Sequence, residues 1–301
     1  MFEKILLPLD GSQLAEVVIP YVELLAGRLS SEVILLHVCP SEHRTYRHMH
    51  QIYLNGLANT MQQQMGKGQP KGGEPRVKAE ILDGVPAEVI CEYVQKNAIS
   101  MIAMATRGAS GIKVWLLGSV VDKVLRAVNI PTLLVRAKDG APVGEKERVI
   151  RGILLPLDGS DASKISVPYA KELAKKLKAS VSLFTMFPGI TYATIPLTDT
   201  IPYGQAKESS ELREAAEKKL RDHLGEVEKE LRQEGIHVTS TVKLGMDPAY
   251  EILEQEKESK ADLMVMATRG ESPIARWAFG SVAEKVLREG DLPLLLIREA
   301  K

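Results

Sequence analysis

Apolar residues fall in short runs separated by longer amphipathic stretches, and the pattern occurs twice. In the first half the runs are Ile5 to Leu9, Val33 to Val38, Val77 to Leu82, Met101 to Ala105 and Thr132 to Val135. In the second they are Ile153 to Leu157, Val181 to Met186, Val238 to Leu244, Leu263 to Ala267 and Leu294 to Ile297. Short runs that are apolar at successive positions suit strands buried on both faces, and the intervening stretches are long enough for crossover helices. The pattern predicts an α/β fold of two tandem open doubly wound domains, each with a five-stranded parallel sheet flanked by helices. The strongest helical stretch, 207–234, places Leu212, Leu220, Leu224, Val227 and Leu231 on one stripe. Pro20 and Pro168 occupy matching places in the first helix of each half, where a kink or a late start is expected because proline lacks a backbone donor.

The two halves are copies. "ILLPLDGS" at 5–12 returns at 153–160, and "MATRG" at 104–108 returns at 266–270. The segment 118–136 matches 280–298 at 11 of 19 positions. The offset grows from 148 to 162 along the chain, so the second copy carries 14 extra residues, expected between Pro188 and Gly235. A period this long with two repeats describes a tandem domain pair and not a solenoid. "AKDGAPVGEKER" at 137–148 has the glycine, proline and charge of a linker. The expected domains are 1–137 and 151–301, with a linker at 138–150.

Length agrees with this division, since 301 residues is about twice a typical domain. Lys+Arg and Asp+Glu both number 39, and the halves carry +2 and −2, which leaves no basic field for nucleic acid. Cys39 and Cys91 sit in apolar contexts and read as core thiols. Charges at Glu3, Lys4 and Asp10 interrupt any signal-peptide core, and the longest uncharged run, 179–198, is broken by Pro188, Gly189 and Pro196. A soluble cytoplasmic protein with no membrane span is expected.

In open parallel sheets, ligands bind beyond the carboxyl ends of the strands. There the first strand of each copy ends in Asp-Gly-Ser, with Asp10 and Asp158 followed by glycine. Helix capping explains that pattern as well as ligand binding does. The fourth strand of each copy runs into a loop with glycine, nine residues, then Gly-Ser: Gly108 to Gly118 and Ser119, and Gly270 to Gly280 and Ser281. Glycines at both ends of such a loop let amides approach an anion, and the following helix supplies unpaired donors and positive potential. Phosphate is the natural guest. The competing explanation is a capping box, Ser281 with Glu284 and, more weakly, Ser119 with Asp122. Arg107 and Arg269 are further candidate phosphate donors, with Lys113 and Arg276 behind them. His37, His43, His48 and His50 cluster, but their spacing fits no tetrahedral metal site, and a solvated helix face is expected.

The conjunction of motifs resembles the universal stress protein family over nearly all of both copies. It comprises Asp-Gly-Ser after the first strand, "LLHV" in the second, "GVPAEVI" after the third, and "MATRG" with Gly-x9-Gly-Ser before a "VLR" helix and a proline-led last strand. The resemblance implies strand order 3-2-1-4-5 and ATP lying across strands one and four. It assigns Asp10 to the ribose, the Val38 backbone to adenine, and Gly108, Gly118 and Ser119 to phosphates. The second set is Asp158, Met186, Gly270, Gly280 and Ser281. Where the family's ATP-binding pattern has a further glycine, this chain has Ala105 and Ala267. The second copy also departs at Thr185, Met186 and Pro273, so the first copy is the expected site. Mg2+ or Mn2+ would enter with the phosphates. The family also implies pairing through the last strands, here an intramolecular pseudo-dimer, with a homodimer left open.

No GxxxxGK[ST], HExxH or GxSxG motif occurs. The leading expectation is a nucleotide-binding regulatory protein of stress adaptation. A ligand-free structural or interaction module comes second, and a slow ATPase third.

Overall fold

The computed structural model describes residues 1–40, 45–66, 76–106, 117–136, 149–188, 203–268 and 280–298. The first copy runs β1 (Lys4–Pro8), α1 (Gln13–Glu16), α2 (Ile19–Leu29), β2 (Glu32–Cys39), α3 (Arg47–Gly66), β3 (Val77–Asp83), α4 (Pro86–Lys96), β4 (Met101–Ala105), α5 (Ser119–Ala127) and β5 (Thr132–Val135). The second repeats it as β6 (Gly152–Pro156), α6 (Asp161–Lys164), α7 (Val167–Leu177), β7 (Ser180–Pro188), α8 (Tyr203–Gln233), β8 (Val238–Gly245), α9 (Pro248–Glu258), β9 (Leu263–Ala267), α10 (Ser281–Glu289) and β10 (Leu294–Ile297). Most of the expected linker lies outside the described residues. No helix among the described residues is long and apolar enough to cross a membrane.

Among the described residues the strands form one ten-stranded sheet, ordered β3-β2-β1-β4-β5-β10-β9-β6-β7-β8. Each copy therefore keeps the order 3-2-1-4-5, all parallel, and the two are joined by antiparallel pairing of β5 with β10. Leu294 lies opposite Leu134, and Leu296 opposite Thr132. Pairing two edges inside one chain satisfies backbone groups that would otherwise template association.

Strand side chains alternate between two faces. Ile5, Leu7, Val33 and Leu35 pack under α2 and α3, while Leu6, Ile34 and Leu36 pack under α4 and α5. Each cluster continues through the second copy, so two apolar layers run the length of the sheet. Across the centre, α2 packs on α7, and Phe2 meets Tyr169 edge-on at 5.8 Å.

Proline decides how the first crossover begins. Ser12 caps α1, which stops after one turn, and α2 starts at Ile19 with Pro20 among its first two residues. An amide missing there costs nothing, because helical first-turn donors have no partner within the helix. The second copy does the same with Ser160, α6 and Pro168.

Glu23 on α2 is half-buried, and loss of hydration pushes its carboxyl up to about 7 from the ordinary 4.5. A carboxyl raised on folding contributes stability that is fully present below 4.5 and lost as pH climbs toward 7. Glu23→Gln is therefore expected to match the parent near pH 4 and exceed it by about 1 kcal/mol at pH 8, the partial exposure screening the full shift. Urea unfolding at both pH values checks this; equal stability at pH 8 would contradict it.

Candidate functional site

The strand registers line up three strand ends in each copy. Lys4 lies opposite Glu32 and Ile5 opposite Met101, which carries Val38, Asp10 and Thr106 to one level on β2, β1 and β4. The equivalent registers bring Met186, Asp158 and Thr268 together.

The Asp-Gly-Ser turn follows from glycine's freedom at positive φ. Gly11 adopts φ +82° and Gly159 +86°, which turns the chain sharply off the strand. Asp10 Oδ1 then accepts from the Ser12 amide at 3.0 Å and from its hydroxyl at 2.6 Å. Ser12 Oγ in turn accepts from the Ala15 amide at 3.2 Å. Asp158, Ser160 and Ser163 repeat the relay at 3.0, 2.6 and 3.1 Å. Serine is thus the cap and aspartate orients it, leaving an exposed carboxylate at the sheet end.

At the other loop the capping box does not form. Gly118, not Ser119, is the N-cap of α5, and no side chain among the described residues caps that end. The reason is tertiary: the Gly118 amide donates to Thr106 O at 2.9 Å, and the Thr106 amide donates to Val135 O at 2.9 Å. These bonds draw the chain back to its exit point and make Ser119 the first helical residue. Asp122 turns away to a bidentate pair with Arg126, both contacts at 2.9 Å. In the second copy Gly280 is the N-cap, its amide donates to Thr268 O at 2.7 Å, and Glu284 pairs with Arg288. Both helices present a glycine-led first turn of amides without a side-chain cap among the described residues.

Ala105 and Ala267 end β4 and β9, buried and without positive φ. Extended backbone accepts a methyl group, so neither alanine strains its strand. Arg107, Gly108, Lys113, Arg269, Gly270, Pro273 and Arg276 lie outside the described residues, as does His43.

The histidine expectation needs correction. His48 is exposed, but His37 is 5% exposed, because it belongs to β2 and not to a helix face. Its Nδ1 lies 2.9 Å from Leu9 O, and its ring stacks on His50 of α3 at 4.1 Å and 21°. Burial holds the His37 pKa below the ordinary value, with the Leu9 carbonyl and Asp10 opposing. Sequence spacing gives no sign of this stack. Tyr53, also unforeseen, donates to Glu16 Oε1 at 2.6 Å and ties α3 to α1 beside the turn. No group of three or more metal-ligating side chains occurs among the described residues.

The copies differ most where α3 and α8 cross the Asp-Gly-Ser turn. A methyl placed on Gly11 would meet nothing within 4 Å, whereas on Gly159 it would sit 2.8 Å from Leu220 Cδ2 of α8. The 31-residue α8 therefore lies against the second turn, whereas no described atom, of the 20-residue α3 or otherwise, comes that close to the first. His223 of α8 reaches the same region, its pKa lowered by burial and by Lys164, with Asp158 among the opposing charges. Thr185, in the place of His37, is fully buried.

A side chain at either glycine enters the left-handed region, at about 1 to 2 kcal/mol. Gly11→Ala is expected to lose about that much, and Gly159→Ala more, because it also displaces Leu220. Denaturant midpoints compare the two directly; equal losses would mean that the Leu220 side chain moves aside without cost.

A model of the universal stress protein family matches residues 1–136 and again 150–298. Universal stress protein MJ0531 of Methanocaldococcus jannaschii is 30% identical over 156 residues, 52% of this chain and 86% of that protein. Universal stress protein Rv2623 of Mycobacterium tuberculosis is 25% identical over 234 residues, 76% of this chain and 71% of its own length. A solved universal stress protein from Archaeoglobus fulgidus superposes over 99% of this chain and 97% of its own, with TM-score 0.65 and 20% identity, a likeness of fold.

Proposed function

Because this chain belongs to the universal stress protein family, its model matching both halves, we propose that it is a nucleotide-binding regulatory protein of stress adaptation that takes ATP in its first copy. The observation that carries this reading is the glycine-led first turn of α5, without a side-chain cap among the described residues, beside the exposed Asp10. Amides at a helix start favour an anion by both hydrogen bonding and dipole, and a polyphosphate supplies the charge. In this reading Gly118 and Ser119 hold phosphate, Asp10 takes the ribose hydroxyls, and the Val38 backbone faces adenine. A magnesium or manganese ion, if bound, would be carried by the phosphates and neutralise part of their charge.

The second copy supports the other reading, a ligand-free structural module. Its turn, built on the same aspartate–serine bonds as the first, differs in lying against Leu220. We assign regulation to the first copy and support to the second. Hydrolysis is at most slow, since Asp10 is the acid at the site and its Oδ1 already holds Ser12.

Magnesium ATP at 100 times its Kd is expected to stabilise the protein by about 2.7 kcal/mol and raise Tm by a few degrees. Gly118→Leu should abolish the rise, whereas Gly280→Leu should leave it. Thermal melts with ATP, ADP and AMP check this. No rise with any of them would favour the ligand-free module, and a rise lost only in Gly280→Leu would move the site to the second copy.

A further inference from the structure

Each candidate phosphate helix is held at its start by its own copy and at its end by the other. Arg136, the residue after β5, sends Nη1 to the last carbonyls of α10, Glu289 O at 3.1 Å and Gly290 O at 2.6 Å. Its side chain is 15% exposed. Arg298, the residue after β10, sends Nη1 to Leu125 O at 2.6 Å, Val128 O at 2.8 Å and Arg126 O at 3.3 Å, at the end of α5. Final carbonyls of a helix have no partner within it, and a guanidinium satisfies several with charge-assisted bonds while complementing the dipole.

Followed from bond to bond, these contacts close a ring. Gly118, at the start of α5, bonds Thr106, whose amide bonds Val135, the neighbour of Arg136; Arg136 holds the end of α10. Gly280, at the start of α10, bonds Thr268, whose amide bonds Ile297, the neighbour of Arg298; Arg298 holds the end of α5. Both helices have nine residues, too short to be stable alone, so order at one end depends on restraint at the other. We propose that Arg298 is a positioning residue for the first copy's anion site and Arg136 for α10 in the second, so that the ring couples the two loop-to-helix junctions. The proposal rests on the nucleotide reading above for its ligand, though not for its connectivity. An anion at the start of α5 and Arg298 at its end favour the same fully formed helix, and by linkage each strengthens the other.

The test uses the full chain with Arg298→Met, which keeps the length and removes the donors, and Arg298→Lys, which keeps the charge with fewer donors. Without nucleotide, hydrogen exchange at the Gly118 and Asp122 amides, which bond Thr106 O and Gly118 O at 2.9 Å, is expected to quicken at least tenfold in Arg298→Met and to recover partly in Arg298→Lys, with β2 unchanged. Magnesium ATP affinity, measured well below the melting temperature of each variant, should fall about five- to tenfold in Arg298→Met, again with partial recovery in Arg298→Lys. Faster exchange confined to the last turn of α5, with unaltered affinity, would overturn the proposal and leave a local cap. If the parent protein binds no ATP, the nucleotide reading fails, and exchange at the first turn alone decides whether the ring transmits.

Discussion

The antiparallel pairing of β5 with β10 is the constraint on which the rest of the molecule depends. Each copy builds an open sheet whose last strand would present unpaired donors and acceptors, and duplication within one chain supplies a partner of the same shape. Joining the edges makes both apolar layers continuous and brings α2 against α7 on one face. It also places Arg136 and Arg298 where each reaches the final turn of a helix in the opposite copy. The junction is thus a sheet, a core and a pair of reciprocal helix caps at once.

Duplication has left the two sheet ends with the same backbone and different surroundings. Asp10 and Asp158 orient their serines through the same bonds, and α5 and α10 begin on the same glycine-to-threonine contact. The distinction arises above the turns. In the first copy α3 is anchored by Tyr53 to Glu16, by Arg47 to Asp83 and by the His50 stack on His37, and no described atom lies within 4 Å of a methyl on Gly11. In the second, α8 brings Leu220 onto Gly159. The proposed division into a binding copy and a supporting copy thus requires no change in the strands that define the fold.

Much of this is legible in the sequence because its causes are local or repeated. Buried parallel strands write themselves as apolar runs, the tandem arrangement as repeated motifs, and the break before α2 as Pro20. The turn at Gly11 follows from Asp-Gly-Ser. Tertiary bonds decide the features that sequence spacing misreads. Ser119 and Asp122 satisfy a capping-box pattern, yet the Thr106 carbonyl takes the Gly118 amide and shifts the helix start by one residue. His37 and His50 lie on separate elements and stack only because α3 folds back over β2. Arg136 and Arg298 resemble ordinary charged residues after a strand until the copies are brought together.

The central claim is that the amides opening α5 take an anion in the first copy. Backbone amide spectra recorded through a magnesium ATP titration test it most directly. The account predicts progressive, saturable displacement of the Ser119, Val120 and Val121 amide signals, with those of Ser281, Val282 and Ala283 changed far less. Unmoved signals at 119–121 at saturating nucleotide, or displacement centred on 281–283, would contradict it.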